Sequence, residues 1–96
     1  MANIGCNGVL QWNIRGFSAN REELSLLVRN PPLLICLQET LVDNTKEMSL
    51  KGFSKPVRKN SSRGTAIFVR SNLLFHPIDL DTRLEAVAVR VSLRKS

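Results

Sequence analysis

Two polar side chains follow runs that are typical of strands, and together they could bind a cation. Asn13 closes "LQWN", in which Leu10 and Trp12 are the apolar members, and Glu39 closes the apolar run "LLICLQE". Mg²⁺ takes oxygen ligands, often one or two carboxylates and the phosphates of a substrate. The pair therefore suits a divalent cation held against a phosphate, with Glu39 as the carboxylate. Asn13 would orient the metal, the carboxylate or the phosphate.

An ordinary structural role is also open for both residues. Asn is common before a turn that contains glycine, because both residue types tolerate turn conformations, and Gly16 follows Asn13 closely. A glutamate at the end of a strand is usually just solvated. The spacing alone therefore leaves the metal site and the plain structural interpretation side by side.

The elements around Asn13 and Glu39 predict how the two side chains would meet. Residues 8–14 predict a strand, and "SANREELSLLVRN" predicts a helix over 18–30, with Asn20 as N-cap and Glu23 in the capping-box position. Two prolines end the helix, and residues 33–39 predict a second strand, covered on both faces. A strand–helix–strand unit has parallel strands, so the two carboxyl ends share one edge of the sheet, where α/β proteins bind ligands.

The remaining sequence predicts short strands. The elements in chain order are a loop at 40–51, an edge strand at 52–57, a turn at 58–64, and strands at 65–70, 77–80 and 84–93. Short connections favour an antiparallel meander. We therefore expect one α/β domain over residues 1–96 that starts with a βαβ unit and continues as a mostly antiparallel meander.

The charge balance favours a polyanionic partner such as DNA. Fourteen Lys and Arg face eight Asp and Glu, for a net charge of +6. The cluster Lys55, Arg58, Lys59 and Arg63 could line a phosphate groove, and Arg15 could contact a DNA phosphate; a solvated loop and a solvated turn are the alternatives. With one Trp and no Tyr, a base-stacking platform has little support.

The sequence also indicates a cellular setting. The first residues lack the charged and apolar regions of a signal peptide, and the longest strictly apolar stretch, 33–37, is far too short to cross a membrane. Cys6 and Cys36 have no metal-type spacing, and we expect Cys36 to be a buried small hydrophobe. An intracellular, reducing compartment and no membrane contact are therefore expected.

The motifs "LQWNIRG" and "LLICLQET", in this order, resemble the opening of the endonuclease/exonuclease/phosphatase family. More narrowly they resemble the apurinic-type endonuclease domain of jockey-like non-LTR retrotransposons, and "RGTAIFVRSNLLFHPIDLDTRLEAVAVRVSL" is similar to its next section. The resemblance runs from about Gly8 onward. It implies a two-sheet α/β sandwich that cleaves phosphodiester bonds with Mg²⁺ or Mn²⁺. Glu39 matches the metal-binding Glu of "QET", and Asn13 matches the Asn that supports the metal and phosphate site.

The chain also departs from that family. Arg15 stands where some members carry an acidic residue, and the later Tyr, Asp–Asn and Asp–His groups find no match: the chain has no Tyr, and its one His is His76. The resemblance therefore implies the amino-terminal part of a truncated sandwich domain. It would belong to an enzyme that nicks nuclear DNA for retrotransposon integration, and it would be inactive alone. The alternatives are a non-catalytic nucleic-acid-binding module and an inert fragment that self-associates through unpaired sheet edges.

Overall fold

The computed structural model describes residues 2–4, 8–43, 45–59, 63–80 and 86–92, and within these residues the chain is a mixed α/β protein. Among these residues, one helix accompanies seven strands, which form a five-stranded and a two-stranded sheet. The elements are β1 (Ala2–Ile4), β2 (Val9–Asn13), α1 (Phe17–Leu27), β3 (Leu34–Gln38), β4 (Val57–Lys59), β5 (Thr65–Val69), β6 (Leu74–Ile78) and β7 (Ala88–Ser92).

The predicted βαβ unit is confirmed. Strands β2 and β3 pair in parallel, and α1 connects them. Their register sets Leu10 beside Ile35, Trp12 beside Leu37 and Asn13 beside Gln38. The five-stranded sheet has the order β1-β2-β3-β5-β4, so the parallel pair lies inside it and its carboxyl ends share one edge.

Helix α1 begins earlier than predicted, and Asn20 is not its N-cap. Gly16, with φ 114°, holds the N-cap position, and Phe17 is the first helical residue. The reason is burial: Phe17 packs into the core, so the chain turns into the helix as soon as β2 ends. The amide of Phe17 donates to the carbonyl of Thr40 at 2.8 Å. This backbone hydrogen bond satisfies an amide at the helix N-terminus that has no partner within the helix.

Asn20 has a different role within the first turn of α1. Its Nδ2 donates to the carbonyl oxygens of Ile14 and Gly16, at 2.8 and 3.2 Å, and so ties the helix to the turn that precedes it. The capping box with Glu23 is wrong for the same reason, since Asn20 and Glu23 both lie inside the helix. The helix ends at Leu27, three residues before the expected end at Asn30.

One face of the larger sheet carries the main hydrophobic core. The cluster joins apolar side chains of β2, β3, β5 and α1 with the segment that follows β3: Leu10, Trp12, Ile14, Phe17, Leu24, Ile35, Leu37, Val42, Met48, Leu50, Ala66 and Phe68. Phe68 is 0% exposed, and its ring lies 5.9 Å from that of Phe17 and 6.3 Å from that of Phe53. Residues 40–43 and 45–51 lack helix and strand, as predicted for a loop, and most of them are exposed, but Val42, Met48 and Leu50 pack into this core.

The other face of this sheet is only partly covered. Cys36, expected to be buried, is half-buried, and burial raises the pKa of its thiol. Ala86 and Val87 line a cavity of about 250 Å³ together with Cys36 and Ile67, so the chain just before β7 lies over this face. Strand β3 is thus fully covered on one face and half-covered on the other, which is less than its apolar run predicted.

The later strands differ from the expected meander. The edge strand lies at Val57–Lys59 and not at 52–57, where Phe53 forms only an isolated bridge to Arg70. Pro56 has no amide hydrogen to donate to a ladder, which delays the strand until Val57. Arg58 and Lys59 therefore belong to β4 rather than to a turn, while residues 60–62 lie outside the described residues.

In the described part of the chain, the later strands divide between the two sheets instead of forming one continuous meander. Strand β5 pairs with β3 and β4, whereas β6 and β7 form their own sheet. The strand expected at 77–80 lies at Leu74–Ile78, and that expected at 84–93 at Ala88–Ser92, with 84, 85 and 93 outside the described residues. Strand β1, which pairs with β2, was not predicted. No helix in the described ranges is long and apolar enough to span a membrane.

Replacing Phe68 by alanine should remove most of the stability. Truncating a fully buried phenylalanine costs about 3–5 kcal/mol, which approaches the whole free energy of unfolding of a small domain. Urea unfolding followed by Trp12 fluorescence measures the loss, since this single Trp lies in the core. Leu26→Ala is the control, because Leu26 is 67% exposed and should change stability by no more than about 0.5 kcal/mol. Equal midpoints for the two variants would contradict this core.

Candidate metal centre

Asn13 and Glu39 meet at the edge where β2 and β3 both end. Asn13 is the last residue of β2 and lies beside Gln38, the last residue of β3, so Glu39 follows one residue beyond the pair. The Nδ2 of Asn13 donates to the Oε2 of Glu39 at 2.5 Å. The structure thus joins the two residues that the sequence singled out, although 26 positions separate them.

Backbone hydrogen bonds hold the two strand ends together beyond the last ladder pair. The amide of Ile14 donates to Gln38 at 3.0 Å, that of Gly16 to Glu39 at 2.8 Å, and that of Phe17 to Thr40 at 2.8 Å. The turn after β2 and the segment after β3 are therefore fixed against each other. This fixes the backbone of Glu39, and with it the start of its side chain.

Three residues at this edge have left-handed backbone conformations that are uncommon outside glycine. Arg15, Glu39 and Leu41 have φ values of 49°, 53° and 54°. Such conformations persist when surrounding contacts over-determine them, and they cluster at functional sites. Here the hydrogen bonds on either side of Arg15 and Glu39 supply that constraint.

The two residues just before β5 form the third side of the site. The amide of Thr40 donates to the carbonyl of Gly64 at 3.1 Å, and that of Leu41 donates to Arg63 at 2.8 Å. Gly64 has φ 93°, a conformation that a residue with a Cβ would adopt only with strain. The guanidinium of Arg63 then reaches back, with its Nη1 3.1 Å from the Oε1 of Glu39.

The surroundings of Glu39 favour its ionised form. The hydrogen bond from Asn13 is the main reason that the pKa of Glu39 lies below its ordinary value of 4.5, and partial burial opposes this shift. The hydrogen bond and charge of Arg63, and then the charge of Arg15, lower the pKa further. A carboxylate accepts hydrogen bonds or binds a cation, and here Glu39 accepts hydrogen bonds from Asn13 and Arg63.

The donor set fits a hard divalent cation that keeps most of its own water. In the described ranges, no three or more His, Cys, Asp or Glu side chains form a group that could hold a metal ion, so Glu39 would be the one carboxylate ligand. Asn13 donates through Nδ2, which leaves its Oδ1 as a second oxygen donor. The buried Oγ1 of Thr40, beside Glu39 in the chain, has no hydrogen-bond partner among the described residues. Mg²⁺ accepts such a site because substrate phosphates and water complete its shell.

The other basic residues singled out by sequence do not share one surface. Arg58 donates to the carbonyl oxygens of Lys46, Val42 and Asp43 at 2.7 to 3.1 Å, so its guanidinium holds the 42–46 segment. Lys59 follows it in β4, and successive side chains of a strand point to opposite faces. Both residues line one cavity of about 260 Å³, but the guanidinium of Arg58 is already occupied by backbone carbonyls.

The remaining candidates divide between the edge and other surfaces. Arg15 lies exposed in the turn after β2, where its charge acts on Glu39. Lys55 is exposed and lines a different cavity, with Met48 and Phe53. Of the predicted basic cluster, Arg63 is thus the residue that contacts the Asn13–Glu39 pair.

Sequence reasoning missed the backbone that completes the site. The carbonyls of Arg63 and Gly64 hold residues 40 and 41, and Thr40 is fully buried beneath the edge. The available signal was the glycine directly before the strand "TAIFV", since a glycine at the start of a strand often marks a close backbone approach.

No protein-family model matches the chain, and no curated protein matches it.

Asn13→Ala should raise the pKa of Glu39 toward its ordinary value, because the largest of the interactions that lower it is lost. A lowered pKa in the folded protein stabilises the fold above about pH 4.5, and that stabilisation is lost as the pH falls through the lowered value. The stability difference between wild type and variant should therefore shrink in acid. Carbon-13 NMR of the Glu39 carboxyl group measures the titration.

The control for this titration is Arg15→Gln, which removes a weaker, purely electrostatic contribution and should move the pKa less. A larger effect from Arg15 than from Asn13 would contradict the hydrogen-bonded arrangement.

Proposed function

We propose that this chain supplies the metal-binding half of the active site of a divalent-metal-dependent DNA endonuclease. The observation that most supports this proposal is the hydrogen bond between Asn13 and Glu39 at the shared carboxyl edge of β2 and β3. The motifs "LQWN" and "LQET" that end in this pair support the finer proposal. It is that the chain is the amino-terminal part of a sandwich domain of the endonuclease/exonuclease/phosphatase kind, from a jockey-like retrotransposon whose enzyme nicks nuclear DNA.

Each of the residues at this edge would have a separate role. Glu39 provides the negative charge that holds the cation, and Asn13 fixes the orientation of that carboxylate and offers its own oxygen. Arg63 and Arg15 add positive charge where a DNA phosphate would approach. A divalent cation bound at such a site polarises a phosphate oxygen and stabilises the leaving group.

The 96 residues alone are expected to lack useful nuclease activity. Phosphodiester hydrolysis also needs a group that activates the attacking water, and general-base help is typically worth about 10²- to 10⁴-fold. No Tyr is present, and no motif in this sequence selects an Asp or His for that task. His76 lies exposed in β6, in the other sheet from Asn13 and Glu39.

A non-catalytic nucleic-acid-binding module is the second candidate, and the net charge of +6 favours it. In that case affinity would fall steeply with salt and would not depend on a divalent ion. The engagement of Arg58 with three backbone carbonyls weakens this candidate, because it removes a member of the basic cluster on which the groove depends.

Mn²⁺ binding, followed by electron paramagnetic resonance, tests the metal site directly. Glu39→Gln should abolish site-specific binding, because it removes the carboxylate. Asn13→Ala should weaken binding by about 10- to 100-fold, which is the usual effect of removing a group that orients a metal ligand. Glu22→Gln is the matched control, since Glu22 is an exposed acid on α1. Equal Mn²⁺ binding by wild type and Glu39→Gln would overturn the proposed function.

Plasmid nicking tests the expected inactivity of the isolated chain. Purified protein with Mg²⁺ should leave supercoiled plasmid intact on an agarose gel, because a water-activating group is lacking. Glu39→Gln run in parallel separates any activity of this site from a contaminating nuclease. Robust Mg²⁺-dependent nicking that disappears in Glu39→Gln would show that the chain carries a complete active site.

A further inference from the structure

Arg63 contacts the same carboxylate that the proposed function assigns to a metal. Its Nη1 lies 3.1 Å from the Oε1 of Glu39, while Asn13 occupies the Oε2. A guanidinium on a carboxylate oxygen neutralises the charge that a divalent cation would use. The two cations therefore compete for Glu39, unless Arg63 moves when the metal binds.

The side chain of Arg63 can leave Glu39 while its backbone stays in place. The side chain is 70% exposed, and an exposed ion pair of this kind contributes little free energy. The carbonyl of Arg63 is held by the amide of Leu41, and the neighbouring Gly64 is held by Thr40. A released guanidinium thus remains at the edge, within a side chain's reach of whatever Glu39 binds.

We propose that the guanidinium of Arg63 contacts the carboxylate of Glu39 in the metal-free protein and a phosphate oxygen of DNA once Glu39 holds a divalent cation. This inference rests on the proposed function, since it takes Glu39 as the metal ligand. A guanidinium matches the geometry of phosphate as well as that of carboxylate, so the exchange replaces one charge-assisted hydrogen bond by another of the same kind.

The exchange couples cation binding to phosphate binding. A phosphate that attracts Arg63 exposes the oxygen of Glu39 to the cation, and a cation on Glu39 repels the guanidinium of Arg63 toward the phosphate. Such coupling is reciprocal: each partner raises the affinity for the other by the same factor. The chain would therefore bind the cation and the DNA backbone most strongly together.

A comparison with Arg15 separates the effect of the Arg63 hydrogen bond from the effect of positive charge alone. Its charge also acts on Glu39, but the hydrogen bonds that lower the pKa of Glu39 come from Asn13 and Arg63. Arg15→Gln and Arg63→Gln therefore remove the same charge from the same edge, and Arg63→Gln also removes a hydrogen bond to Glu39.

The first experiment measures Mn²⁺ affinity without DNA in wild type, Arg63→Gln, Arg63→Lys and Arg15→Gln. Arg63→Gln should bind Mn²⁺ about twofold to fivefold more tightly, the factor expected from losing a competing exposed ion pair. Arg63→Lys should lie between this variant and wild type, and Arg15→Gln should gain less than Arg63→Gln. Trp12 fluorescence verifies that each variant is folded, because Trp12 is a core residue.

The second experiment measures binding of a short DNA duplex by fluorescence anisotropy across a salt series, with and without one fixed concentration of Mg²⁺. With Mg²⁺, the salt slope of wild type should exceed that of Arg63→Gln by about one, the value of one phosphate contact. Without Mg²⁺ the difference between the two slopes should be smaller, since the ion pair with Glu39 then competes with the phosphate for Arg63. Arg29→Gln, at the opposite end of the βαβ unit, is the control for overall charge.

The outcomes separate this inference from the proposed function. Mn²⁺ binding that needs Glu39 but is equal in wild type and Arg63→Gln overturns the exchange and leaves the metal site standing. An equal gain in Mn²⁺ affinity from Arg15→Gln and Arg63→Gln also overturns it, because charge alone would then explain the effect. Absence of Glu39-dependent Mn²⁺ binding in every variant overturns the proposed function and this inference with it.

Discussion

The parallel pairing of β2 with β3 is the constraint on which the rest of this structure depends. It sets Asn13 beside Gln38, and so places the Asn13 amide within reach of the Glu39 carboxylate. The side-chain period of a strand is two, so a shift of one residue in register would turn Asn13 and the core residue Trp12 to the wrong faces. Burial of Leu10 and Trp12 on one face thus fixes the geometry of a polar pair that is itself exposed.

The hydrogen bonds that begin the helix also shape the candidate site. Because Phe17 and Gly16 donate to the carbonyls of Thr40 and Glu39, the segment leaving β3 takes the place of a helix cap. The left-handed conformation of Glu39 costs on the order of 1–3 kcal/mol, and these bonds are what hold it. Loosening the start of α1 would therefore release the backbone of Glu39 as well. The geometry of the candidate site therefore depends on the stability of the first turn of α1.

Periodic hydrophobicity predicted the elements whose burial is decided locally. The alternation in "LQWN" and the apolar run before Glu39 gave the two central strands, and the parallel rule then brought Asn13 and Glu39 together. The prediction of Asn20 as the N-cap was wrong. It relied on residue type, whereas the burial of Phe17 decides where α1 starts. Tertiary contacts that lie far apart in sequence, such as the amide of Thr40 with Gly64, leave no periodic signal.

Clustered charge in a sequence is a poor guide to a shared surface, and the two arginines near β4 and β5 illustrate the reason. Arg58 lies on a strand, where its direction is fixed by the pleat, and its guanidinium satisfies three backbone carbonyls of an irregular segment. Arg63 lies two residues before β5, at the edge where β3 ends antiparallel to β5, and its side chain contacts Glu39. Composition cannot distinguish an arginine that binds backbone carbonyls from one that pairs with a carboxylate. The direction of the strand and the position along it decide between these two roles. A carboxylate with guanidinium charge beside it attracts a lone cation less than a bare acidic cluster would, and it suits a cation that arrives with the phosphate of a polyanion.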